Sequence, residues 1–238
     1  MTVLLVTGTG TGVGKTVAVA ALAALAVARG QSCTVVKPAQ TGVPDDAPGD
    51  LADVLRLAGE QVRPVELVRY PDPLSPAAAA RRCGRPPLDP ALCAHAVLSA
   101  QQESDLVLVE GAGGLLVRYD EDGFTMAELA CTLRLQVMVV VEAGLGTLNA
   151  TALTLEAMAH RGLDLAGLVI GSWPEQPGLA ERNNVADLEM LAARPLLGAL
   201  AASAGSLTGQ TFLGAARSGL APTLGGAFDP GAFRRAAA

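Results

Sequence analysis

The sequence predicts an α/β fold in which helices cover both faces of a mostly parallel central sheet, and three observations carry that reading. Short β-branched apolar runs of strand length recur along the chain, Ala- and Leu-rich stretches of helical length stand between them, and two strand ends run directly into glycine clusters. A chain of 238 residues that is 50% hydrophobic fits one domain, 1–238, with a core of its own.

Residues 2–7 (Thr-Val-Leu-Leu-Val-Thr) form the first predicted strand, and Gly8-Thr-Gly-Thr-Gly-Val-Gly-Lys-Thr16 follows without a break. Strand, glycine loop and helix in that order make a phosphate cradle. Glycines turn backbone N–H groups inward, the helix start adds partial positive charge, Lys15 reaches the outer phosphates, and the Thr16 hydroxyl suits Mg²⁺. The common pattern G-x-x-x-x-G-K-[ST] would need glycine at Thr9; here the loop is one residue longer, from Gly8 to Gly14-Lys15-Thr16. The fold class is therefore α/β of the P-loop NTPase-like kind.

Residues 17–29 read as a buried helix closed at Gly30, and Cys33 to Lys37 as a second strand ended by Pro38. In an open parallel sheet ligands bind at strand C-termini, which puts Lys37 on the same crevice as the loop. Of seventeen basic residues only Lys15 and Lys37 are lysine, so a compact ammonium has been kept at two places in an arginine-using chain. Residues 41–50 form a loop, and Leu51 to Leu57 a helix with Asp50 as its N-cap; the alternative for Asp50 is a metal ligand. The proline-rich stretch 71–90 reads as a loop with an Ala-rich helical turn or two.

Asp105-Leu-Val-Leu-Val-Glu110-Gly-Ala-Gly-Gly114 reads as a central buried strand whose end carries a carboxylate and another glycine turn, placing Glu110 where an acid can hold Mg²⁺ or its water. Val137 to Val141 is a further strand. Gly144-Leu-Gly-Thr-Leu-Asn149 leads into a helix to about His160, with Thr147 or Asn149 as an ordinary cap or, alternatively, the free amides as an anion site. Leu165 to Ile170 and a short run at Arg194–Gly198 complete the strands. Beyond Ala201 the chain is Ala/Gly/Ser-rich with weak periodicity, and an irregular tail is expected.

A net charge of -6 gives nucleic acid or an anionic membrane no electrostatic support. The four cysteines lack Cys-x-x-Cys spacing and read as buried reduced thiols, and His95 and His160 make no zinc constellation. Without a basic n-region or an apolar run of membrane-spanning length, a cytoplasmic protein is expected.

Taken together, the motifs closely resemble the dethiobiotin synthetase family. The long phosphate loop, Lys37-Pro-Ala-Gln-Thr41-Gly42, Ser75-Pro76 with Gly84-Arg85-Pro86, Glu110–Gly114 and Gly144–Asn149 stand in the family's order over about residues 1–170. The resemblance implies a cyclo-ligase acting on 7,8-diaminopelargonate and CO₂ with ATP or another nucleoside triphosphate. It implies Mg²⁺ at Thr16, Asp50 and Glu110, and Lys15 and Lys37 as the catalytic cations. Nucleotide contacts would come from Thr9, Gly10, Thr11, Gly12, Val13, Gly14, Lys15, Thr16, Glu110, Gly171 and Ser172. Substrate contacts would come from Thr11, Lys37, Thr41 and Gly113, and, across a homodimer interface, from Gly146, Thr147, Leu148 and Asn149.

The chain departs from the family pattern at three places. Gly12 stands for an acidic loop residue, Gly171-Ser172 for an Asn-Asp that reads the purine edge, and Ala201–Gly205 lacks a proline and an acid near the base. Two other classes are weighed against this reading. A glutamine-dependent amide synthase of the cobyrinate type needs a glutaminase domain for which the length leaves no room. A ParA-like switch ATPase typically has a lysine near the start of its loop, and this loop has none.

Overall fold

The structure, a computed structural model, describes residues 2–237. In chain order the elements are β1 (Thr2–Gly8), α1 (Lys15–Ala28), β2 (Cys33–Thr41), α2 (Asp50–Ala58), β3 (Arg63–Tyr70), α3 (Pro76–Cys83), α4 (Pro90–Glu103), β4 (Leu106–Gly114) and α5 (Met126–Leu133). They continue with β5 (Gln136–Val141), α6 (Thr147–His160), β6 (Leu165–Trp173), α7 (Leu179–Ala192), β7 (Gly198–Ala201), α8 (Gly209–Gly219) and α9 (Pro230–Ala237). All seven strands join one sheet in the order β3-β2-β4-β1-β5-β6-β7, each neighbouring pair parallel. The predicted α/β class with helices on both faces is the one observed.

Side chains of a strand alternate between faces, and this sheet buries both. Val6, Leu108, Met138, Val140 and Val169 enter the layer beneath α1, α2 and α8, whereas Leu5, Val109, Val139 and Ile170 enter the opposite layer with α4, α5 and α7. Helix α1 lies deepest. Its alanines at 18, 20, 21, 23, 24 and 26 are all buried, and such small side chains let it sit close to the sheet with α2 and α8 packed on it. That packing fixes the start of α1, and hence the loop before it, over the C-terminal end of β1.

Several elements differ from expectation for identifiable reasons. Strand β2 runs on through Pro38 to Thr41, because beyond Val36 it no longer pairs with β4 and its partner is β3 alone. Strand β3 itself is an edge strand carrying Arg63, Pro64, Glu66 and Arg69, and shows little of the apolar pattern of the central strands. Helix α4 was hidden for a similar reason, since it buries only Cys93, Val97 and Ala100, and helices α5 and α7 were also not anticipated. The expected irregular tail is instead helical: α8 buries Phe212 and Ala216 against α1, and α9 sets Phe233 4.8 Å from Trp173 and Arg234 2.7 Å from Glu189. Local composition underestimated it because three glycines in α8 dilute the period.

Helix starts are also corrected. The N-cap of α2 is Gly49, with Asp50 the first helical residue, and that of α6 is Gly146, with neither Thr147 nor Asn149 capping.

Candidate active site

The phosphate loop runs from the end of β1 to α1, and Gly14 is the hinge of its geometry. Its φ of 95° belongs to the left-handed region, and a Cβ there would lie 2.5 Å from the Gly171 carbonyl oxygen, so the loop rests directly on β6. Gly14 is also the N-cap of α1 and supplies no side-chain cap, which leaves the first amides of that helix pointing at the crevice. Val13 is tucked beneath the loop, 3% exposed, and Lys15 Nζ donates 2.7 Å to the Gly10 carbonyl.

Next to the loop, Glu110 in the middle of β4, one residue past its last pairing with β2, is almost fully buried and gathers two donors on Oε1: the Thr16 hydroxyl and Lys37 Nζ, each at 2.8 Å. Lys37 also reaches Asp50 Oδ2 at 2.5 Å from the start of α2. Burial by itself pushes the Lys37 ammonium down, but the Glu110 and Asp50 carboxylates outweigh it and hold the group above its ordinary value. Lys15 has the opposite balance. Burial first and the neighbouring Lys37 second lower it to about 8, against the weaker pull of the same two carboxylates.

Beneath this cluster the turn 111–114 is braced by Tyr119, whose phenolic oxygen accepts the Ala112 N–H at 2.6 Å. Burial pushes that phenol up to about 12.

These groups line one cavity of about 600 Å³. Thr11, Gly12, Gly14, Lys15, Thr16, Lys37, Thr41, Asp50, Glu110 and Gly113, all candidates named above, stand in its wall. The remaining candidates lie elsewhere. Thr9 and Gly10 are half-buried and line neither this cavity nor its neighbour, and Gly171 packs behind Val13 and Gly14. Ser172 opens on a separate cavity of about 360 Å³ with Gly12, Val13 and Glu142. Gly146, Thr147, Leu148 and Asn149, at the start of α6, line neither space. Gln40 belongs to the wall and went unread, since a glutamine between a strand and a glycine turn carries no signal of its own.

The donor set suits a hard cation. Thr16, Asp50 and Glu110 offer only oxygen, and Glu110 Oε2 is buried without a hydrogen-bond partner, an orphaned carboxylate oxygen beside the Thr16 hydroxyl. Among the described residues no cluster of three His, Cys, Asp or Glu forms a protein-only cage, and Mg²⁺ characteristically needs only one or two carboxylates with the balance from phosphate and water.

A parallel sheet whose central strand feeds an uncapped helix through a glycine loop, with a lysine and a hydroxyl at the helix start, defines a P-loop nucleotide-binding protein. A family model described as an AAA domain matches residues 2–205. The chain is 62% identical over 236 residues to the ATP-dependent dethiobiotin synthetase BioD of Parafrankia sp., covering 99% of this chain and 98% of that one. It is 58% identical to the protein of the same name from Frankia casuarinae, with 98% of each covered. The chain belongs to the dethiobiotin synthetase family of ATP-dependent cyclo-ligases. A ParA family ATPase from Chlorobium tepidum aligns with TM-score 0.54 over 86% of this chain and 87% of that one; at 13% identity this likeness reports the shared fold alone.

Proposed function

We propose that the enzyme closes the ureido ring of dethiobiotin from 7,8-diaminopelargonate and CO₂, using ATP or another nucleoside triphosphate as phosphoryl donor. The N7 amine takes up CO₂ and releases a proton to give a carbamate, and a carbamate oxygen attacks the γ-phosphorus as the nucleoside diphosphate leaves. The N8 amine then attacks the carbonyl carbon of the mixed anhydride, and inorganic phosphate departs as the ring closes.

Such chemistry requires positioning and charge neutralisation rather than a protein nucleophile. The observation that carries the reading is Lys37: a buried ammonium on β2 where its pairing with β4 stops, held by two carboxylates across the cavity wall from the phosphate loop. In this role Lys37 stabilises charge on the carbamate and the transferring phosphoryl group, while Lys15 leaves the Gly10 carbonyl for phosphate oxygens. Loop amides from Thr9 to Thr16 bind the triphosphate, and Thr11, Thr41 and Gly113 line the diamine's place. Thr16, Asp50 and Glu110 hold Mg²⁺, which neutralises phosphate charge when bound.

We further read the enzyme as a homodimer in which Gly146 to Asn149 of a second copy receive the substrate carboxylate. Support comes from the uncapped start of α6 and from Leu145 beside it, 92% exposed. The start of α6 lies outside this chain's own cavity, as an interface role requires. Its place is the cytoplasm, a reading supported by four free cysteines; among the described residues no helix is long and apolar enough to cross a membrane. The test is product formation: diaminopelargonate, bicarbonate, Mg²⁺ and nucleotide yield dethiobiotin, whereas a switch ATPase would show slow hydrolysis indifferent to the diamine.

A further inference from the structure

Asp50 opens α2, yet its carboxylate is turned toward Lys37 rather than onto the helix. A carboxylate at a helix start ordinarily competes for the helix's own free amides. Here another strand supplies an acceptor. Gln40 of β2, 3% exposed, takes the Asp50 N–H on Oε1 at 2.8 Å and gives Nε2–H to the Thr41 carbonyl at 3.2 Å. With its backbone held in this way, Asp50 keeps its side chain for Lys37, 2.5 Å away.

The approach is close enough that a side chain at the preceding position would push the Gln40 amide aside. A Cβ on Gly49 would lie 2.7 Å from Gln40 Oε1 and 3.0 Å from Arg69 Nη2. Arg69 secures the loop leading to that point. It pairs with both Glu66 oxygens at 2.7 and 2.8 Å and donates to the carbonyls of Pro44 and Ala47 at 3.0 and 2.6 Å. Strand, loop and helix start are thus tied together by side chains other than the two carboxylates that hold Lys37.

We propose that Gln40 is the positioning residue of Asp50: by fixing the first amide of α2 it aims the Asp50 carboxylate at Lys37 and at the cation site formed with Thr16 and Glu110. The inference rests on the proposed role of Asp50 as a metal ligand, and its test separates the two. Mn²⁺ is titrated into the protein with a non-hydrolysable ATP analogue, followed by electron paramagnetic resonance, for wild type, Gln40→Met, Gln40→Glu and Asp50→Asn. Metal-free binding of the analogue reads the folding of each variant.

Methionine keeps the length of glutamine but loses the acceptor; glutamate keeps the acceptor. Loss of an outer partner of a metal ligand costs on the order of tenfold or more in metal affinity, so Gln40→Met is expected to weaken Mn²⁺ about tenfold and Gln40→Glu by less than about threefold. Asp50→Asn should weaken it at least as much as Gln40→Met. Wild-type affinity in Gln40→Met beside a weakened Asp50→Asn overturns the positioning role and leaves the metal site standing. Equal losses in both Gln40 variants overturn it in favour of packing. An unchanged Asp50→Asn removes Asp50 from the metal site and the inference with it.

Discussion

Lys37 and Glu110 lie 2.8 Å apart, each one residue past the last paired positions of their neighbouring strands, Val36 and Val109. Where the ladder between β2 and β4 ends, the two strands exchange a charge pair instead of backbone hydrogen bonds, while each stays paired to its other neighbour. Lys37→Gln should lower turnover by at least ~10²-fold, the scale of a lost charge-stabilising donor, with nucleotide affinity within a few fold. Near-normal turnover in steady-state kinetics would remove Lys37 from the reaction.

Metal dependence is read from the acids. Glu110→Gln and Asp50→Asn should each raise the Mg²⁺ concentration needed for half-maximal turnover. The effect should be greater for Glu110, which is almost wholly buried and carries the orphaned oxygen. An unchanged Mg²⁺ titration for either residue would exclude it from the site.

The two lysines titrate in opposite senses. With ε-¹³C-lysine the protein shows two side-chain resonances, and without nucleotide one should move with a midpoint of about 8 while the other holds until above 10.5. Lys15 is depressed in the folded state, so between about 8 and 10.5 the unfolded chain binds more protons and this group's contribution to stability rises with pH. Lys37 is raised, so its contribution is complete below 10.5 and is lost as pH climbs through its higher folded value. Lys15→Met should therefore flatten the rise in urea-unfolding free energy above pH 8, and triphosphate should move the Lys15 midpoint upward in the native enzyme. A single shared midpoint near 10.5 would contradict both expectations.

The dependence of the phosphate loop on β6 can be tested at Gly171. A Cβ there would fall 2.0 Å from the Val13 carbonyl oxygen and 2.6 Å from Val140 Cγ1, a clash with backbone that no rotamer relieves. Gly171→Ala should destabilise the protein by about 1–3 kcal/mol in urea and weaken triphosphate binding as the loop is displaced. Unaltered affinity would show that the loop holds its shape without β6.

The proposed place of Gly171 and Ser172 beside the base bears on nucleobase choice as well. Discrimination against a wrong base needs buried donors and acceptors that it would leave unpaired, and at these positions only one hydroxyl and the backbone are available. ATP, GTP, CTP and UTP are expected to bind within about tenfold of one another, equivalent to ~1.4 kcal/mol. Calorimetric titration of all four with Mg²⁺ checks this; a hundredfold preference for ATP would contradict it.

What the sequence disclosed divides along a physical line. The phosphate loop, β4 and β5 were legible because glycine spacing and continuous apolar runs are local signals, and Lys15, Thr16 and Glu110 from the first two meet in one cavity. Asp50 was ambiguous because cap and ligand call for the same residue at the same helix start, and only the folded structure shows that its side chain turns to Lys37 and does not cap α2. Strand β3 escaped notice because an edge strand satisfies half its backbone with solvent and tolerates Pro64 and Arg69. Helix α9 owes its order to Trp173, far away in the chain, and no local pattern announces such a contact.

Both lysines of this protein are nearly enclosed, Lys15 at 7% and Lys37 at 2% exposure. Apart from the α-amine and two histidines, the outer surface carries its positive charge on guanidinium groups, which acylating and aldehyde reagents leave intact under conditions that modify amines. A lysine-directed reagent meeting the folded protein therefore finds no side-chain amine on the periphery and must enter the cavity to react. Lysine labelling, ordinarily an indiscriminate surface stain, becomes in this molecule an affinity label whose protection by nucleotide measures occupancy of the phosphate loop.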